Sequence, residues 1–161
     1  MERIVYFMAT GPRYRSSQSS IVNTDKSLIV RVWVNPDGSP GQPEVWAVLQ
    51  EVPESPAFGN PIPAAGDGLA LDVHGNVYVT VLTRAAVVRI NAGDLSQPTI
   101  AVFGSDPDAP LFAVLNFPNT IAFGTGKGGR QSLFVTNIGY TNASRRGLVK
   151  IEAGVPGIPL P

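Results

Sequence analysis

The chain has no cysteine and one histidine. The first absence excludes disulfides, thiolate nucleophiles and cysteine-based zinc sites. The second excludes a multi-histidine metal site and leaves His74 as the one imidazole available for acid–base work. Charge is scarce too, at 15% of residues, with 12 cations against 12 anions. A neutral chain has no electrostatic footprint for nucleic acid or an anionic membrane. No apolar run approaches the roughly 18 residues of a membrane-spanning helix. The apolar stretch Ile4–Ala9 is shorter than the roughly 7–15 residues of an export-signal core. The chain as given is therefore expected to carry no export signal.

What is abundant is turn chemistry. There are 17 Gly and 15 Pro in 161 residues, with 43% hydrophobic content. Apolar sequence cut this often by turn formers predicts many short strands in one all-β domain. Strands are expected at 20–24, 28–35, 44–49, 68–73, 77–81, 86–91, 99–103, 119–123, 133–137 and 147–152. Turns fall at Pro36-Asp37-Gly38-Ser39 and His74-Gly75-Asn76. Pro-rich connections cover 52–65 and 104–115. No amphipathic helix is expected.

Repetition organises these strands. Leu28-Ile-Val-Arg recurs as Ala86-Val-Val-Arg and Gly147-Leu-Val-Lys, with the basic residues 58 and 61 positions apart. Val77-Tyr-Val-Thr recurs as Leu133-Phe-Val-Thr at an offset of 56, and Asp67-Gly-Leu-Ala-Leu as Asn119-Thr-Ile-Ala-Phe at 52. Antiparallel sheets repeating at fixed spacing describe propeller blades. The expected fold is a partial β-propeller of about three four-stranded blades, near 20–50, 66–103 and 117–154, the first incomplete. Residues 1–19 form a poorly defined leading segment. A two-sheet sandwich is the alternative, but it does not require repeated motifs in one order. Propellers close with about four to eight blades, so three leave open edges through which copies could self-associate.

The phrase Asp67-Gly-Leu-Ala-Leu-Asp-Val-His-Gly-Asn-Val-Tyr-Val-Thr resembles a signature of the senescence marker protein / gluconolactonase / luciferin-regenerating enzyme family. In that signature a DG is followed by an apolar strand, a D-x-x-G-N turn and an aromatic-Val strand. Ile21-Val-Asn-Thr with Ile29-Val-Arg-Val and Pro36-Asp-Gly-Ser-Pro-Gly is similar to the preceding blade. Asn119-Thr-Ile-Ala-Phe-Gly with Leu133-Phe-Val-Thr-Asn is similar to the following one. The resemblance covers about residues 20–161, the C-terminal half of a six-bladed lactonase-like propeller.

It implies a divalent cation, usually calcium, at the mouth of a central channel, polarising a lactone or ester carbonyl for hydrolysis. Asp67 maps onto one metal ligand, and Asn119, one repeat later, onto a substrate-binding position. The other two ligand positions of the family have no counterpart here, so the metal site is incomplete. The chain is accordingly expected to be a weakly active or inactive fragment, or else a non-enzymatic propeller module binding a protein or small ligand. Small-molecule lactones or esters are the implied partners, without nucleic acid or membrane. Localisation is open, since the resemblance extends to exported proteins.

Each residue also has a plainer reading. Asp67 fits an ordinary turn and Asn119 a strand-opening position. Asp72 and His74 flank a Gly turn where His74 is expected to be exposed; Asp37 and Asp94 are turn residues. Gly124–Arg130 is rich in Gly but lacks the Gly-Lys-Ser/Thr ending and helix of a phosphate loop, and reads as a hairpin. Arg145-Arg146 is a solvated basic pair. Asn142-Ala143-Ser144 is a formal sequon, meaningful only in an exported eukaryotic chain. Trp33 and Trp46 are expected to pack between sheets.

Overall fold

A computed structural model describes residues 3–9, 27–49, 65–92, 99–103, 115–140 and 142–158. Among these described residues the structure is all-β: ten strands lie in three antiparallel sheets, with two short 3-10 turns at Leu82–Arg84 and Ala143–Arg145. The chain divides into two compact units, Met1–Ala65 and Gly66–Pro161.

The first unit holds one sheet of β1 (Arg3–Ala9), β2 (Ser27–Val34) and β3 (Pro40–Leu49), in that order. Strand β2 is central, and its β-branched run is buried on both faces at Ile29, Val30 and Val32. The turn after it is fastened by Asp37, whose carboxylate accepts from the Ser39 amide at 2.9 Å and the Ser39 hydroxyl at 2.6 Å. Those bonds, the hydroxyl first, hold the Asp37 carboxyl below the usual carboxylate range. Arg31 and the Trp33 indole both donate to Glu44 across the β2–β3 pair. Trp33 is half-buried there, while Trp46 is buried.

The second unit holds two sheets. One is β4 (Gly66–Leu71), β5 (Val77–Val81), β6 (Ala86–Asn91) and β7 (Thr99–Phe103); the other is β8 (Pro118–Phe123), β9 (Ser132–Asn137) and β10 (Gly147–Glu152). Each is a meander in which neighbours in sequence are neighbours in space. Four strands per sheet, the expected unit, occur in the middle sheet; the other two have three among the described residues.

The repeat is visible in the register. Tyr6 pairs with Arg31, Tyr78 with Arg89, and Phe134 with Lys150. The same aromatic–basic pair thus recurs in all three sheets, making β1 the counterpart of β5 and β9. The first sheet contains no counterpart of β4 and β8 among the described residues. Strand β1 falls inside the leading segment that the sequence leaves undefined. The expected strand at 20–24 and most of both Pro-rich connections lie outside the described residues.

The two sheets of the second unit adjoin along β4 and β8. Ala70, Tyr78 and Val87 from one face meet Ile121, Leu133 and Val135 from the other. Alternation explains this: in β5 and β9 every second side chain points toward the other sheet. Burying an aliphatic side chain of this kind stabilises by about 1.5–3 kcal/mol, so this layer is enough to hold the stacked pair together. The segment after β10 runs back across both sheets. The Ala153 amide donates to the Gln131 carbonyl at 2.8 Å, Val73 donates to Pro156 at 3.0 Å, and Ile158 to Leu71 at 3.1 Å. Gly157 lies against the Phe123 ring, and a Cβ there would stand 2.3 Å from Phe123 Cβ.

Candidate functional site

Strands β4 and β8 each carry a polar residue at their second position. Asp67 follows the buried Gly66 in β4, and Asn119 follows the buried Pro118 in β8. Although 52 residues apart, they meet: the Asn119 amide nitrogen donates to Asp67 Oδ2. The Asn119 amide oxygen in turn accepts from the Thr120 hydroxyl at 2.7 Å. Asp67 is exposed and Asn119 half-buried, so the pair sits at the surface with its polar atoms accessible. The structure therefore brings the two sequence-predicted site residues into direct contact.

Two features of the sequence permit that contact. The first is Gly68. A Cβ at this position would lie 2.6 Å from the Asn119 carbonyl oxygen and 2.7 Å from the Ile121 nitrogen. These are backbone atoms that cannot swing aside, so the DG dipeptide is where two strands approach too closely for a side chain. The second is Thr80 on β5, fully buried, whose hydroxyl accepts from the Gly68 amide at 2.7 Å and donates to the Asn119 carbonyl. The sequence displays Thr80 and its counterpart Thr136 as part of a repeat. It gives neither a role, because a threonine inside an apolar strand looks like ordinary β-propensity.

The other titratable residues do not join the pair. Asp72 is fully buried and saturated as an acceptor. Its Oδ1 takes the His74 and Asn76 amides at 2.9 and 3.0 Å; its Oδ2 takes the Asn76 side chain at 2.8 Å and the Tyr78 hydroxyl at 3.1 Å. Asn76 Oδ1 accepts from the Ala92 amide at 3.0 Å. The D-x-x-G-N motif is a hydrogen-bonded hairpin lock. Burial first, and the Asp72 charge second, push the Tyr78 phenol above its ordinary value. His74 is exposed on this turn, away from the pair, as expected.

Gly124–Arg130 forms a hairpin loop between β8 and β9, closed by Gly124 N–H to the Ser132 carbonyl at 3.0 Å, with no helix. Arg145 and Arg146 are exposed in the β9–β10 connection. Asn142 caps the 3-10 turn there by accepting from the Ser144 amide at 3.0 Å. Asp94 lies outside the described residues.

A divalent cation is the group the resemblance implies, and the residues here do not make its cage. Asp67 brings a carboxylate, and Asn119 its amide oxygen; calcium takes about 6–8 oxygen ligands. No group of three or more His, Asp or Glu side chains that could hold a metal occurs among the described residues. Moreover, Asn119 turns its nitrogen toward Asp67 and its oxygen toward Thr120, an arrangement suited to a direct amide–carboxylate bond.

Comparison with known proteins adds no name to this geometry. No family model and no curated protein matches the chain.

Proposed function

We propose that the chain is a section of a lactonase-like β-propeller. In this reading the three sheets are blades, β4 and β8 line a channel, and Asp67 and Asn119 sit at its mouth. The observation that carries it is the Asp67–Asn119 contact, made by corresponding residues of two stacked repeats. Sequential meanders and the recurring aromatic–basic register support it.

The related activity is metal-dependent hydrolysis of lactones or esters. Asp67 would offer one carboxylate toward a cation and Asn119 one contact to substrate. The described residues supply too few oxygen donors for the cage and no imidazole near the pair, so this chain by itself has little or no turnover. A panel of lactones with calcium, zinc or manganese added tests this. No rate above background is expected; turnover abolished by Asp67→Ala would overturn the claim of inactivity.

A second reading, a non-enzymatic binding module, is favoured by a different observation. Tyr140 is 73% exposed and leans on Phe117 with ring centroids 5.1 Å apart. Ile138, at 42%, is exposed beside it. Since Pro118 pairs with Asn137, this apolar ledge lies at the same end of its sheet as Asn119. In calcium calorimetry, heat that is lost in Asp67→Ala favours a metal-linked site over the binding module.

A further inference from the structure

We infer that Thr80 is the positioning residue of the mouth pair: its hydroxyl sets Asn119 against Asp67 by tying the backbones of β4 and β8. The inference rests on reading Asp67 and Asn119 as the site, but its test needs neither ligand nor turnover.

Strands β4 and β8 belong to different sheets, so no ladder fixes one relative to the other. Beside the mouth, one buried side chain bonds to both backbones. Thr80 Oγ1 accepts from Gly68 N–H, next to Asp67, at 2.7 Å. Its one proton goes to the carbonyl of Asn119 itself, since the Gly68 carbonyl is more distant at 3.4 Å. The hydroxyl is fully buried, so water does not replace it cheaply. Valine has the same shape and can make neither bond.

The repeat supplies an internal control. Thr136 accepts from the Thr120 amide at 3.0 Å and lies 3.4 Å from the Thr120 carbonyl. These match the contacts Thr80 makes within its own sheet. Thr136, by contrast, is exposed, and within the second unit its sheet has no described neighbour other than that of β4–β7. The contacts within the sheet are therefore local to the aromatic-Val-Thr strand. Donation to a neighbouring sheet is the added feature at Thr80.

The test follows the Asn119 side-chain amide by NMR at neutral pH. Because that amide donates to Asp67, the shift difference between its two protons should exceed that of a free amide, and Asp67→Ala should remove the excess. Thr80→Ser should keep at least half of it. Thr80→Val should reduce it threefold or more while the well-dispersed spectrum of a folded chain persists. A purely structural Thr80 would lower the melting temperature and leave the excess intact, which would overturn the inference. Should Thr80→Val fail to fold, the unmodified chain decides: a slowly exchanging Thr80 hydroxyl proton with a cross-peak to the Thr120 Hα is expected, and its absence would equally overturn the proposal. If calcium or lactone binding proves indifferent to Asp67→Ala, the site reading falls while this coupling still stands or fails by its own measurement.

Discussion

Tyr78 and Asp72 show how much one buried pair can decide. The phenol is fully buried and donates to a carboxylate that is also fully buried. Its ionisation would place two negative charges together without water. Burial and Asp72 raise the folded phenol above the ordinary value of about 10. A raised value means that the folded state holds the proton more tightly than the unfolded chain. The resulting stability is complete below about pH 10 and is lost as pH rises through the folded value. Thermal melts should therefore show a loss of stability as pH rises above about 10, and Tyr78→Phe should flatten it. At neutral pH the same variant should be less stable by about 1–3 kcal/mol, because Asp72 loses one donor. The motif behind this lock was legible: D-x-x-G-N announces a turn whose Asp accepts from the residues that follow. The burial of Tyr78 was not, since a tyrosine in a strand gives no sign of which face it occupies.

Strands are where the sequence spoke most clearly. Strands β5, β6, β7 and β10 begin and end where alternation and flanking turn formers placed them. Strand β1 is not announced by the sequence, because Ile4–Ala9 is a short apolar run without polar–apolar alternation. Its match to β5 appears in register, through Tyr6 opposite Arg31, which no single segment reveals. The crossing segment Ala153–Ile158 is equally illegible. It is rich in Gly and Pro and shows no strand alternation, yet its backbone bonds to Leu71, Val73, Arg130 and Gln131. Gly157→Ala tests its importance. The new methyl would collide with Phe123, and overpacking of this kind costs about 1–3 kcal/mol. Chemical denaturation should show that loss, whereas Gly126→Ala, where a Cβ meets nothing within 4 Å, should cost less than half as much.

For the whole molecule, repetition marks the positions that correspond from sheet to sheet. An offset of 52 residues between Asp67 and Asn119 suggested that both occupy one place in successive repeats. The structure places them in contact. What sequence alone left hidden is why the contact is possible, namely a glycine where two backbones nearly touch and a buried hydroxyl between them. The propeller proposal rests on that contact, a carboxylate–amide pair near the start of two adjoining strands.

The chain's lack of cysteine makes the central claim directly measurable. Cysteines placed at Asp67 and Asn119 can be treated with dibromobimane, which fluoresces only when it bridges two thiols. The account predicts strong fluorescence and an intramolecular cross-link from that pair, and none from cysteines at Asp67 and Lys127, at opposite ends of the stacked sheets. A folded double variant that fails to bridge 67 and 119, or that bridges 67 and 127 equally well, would contradict it.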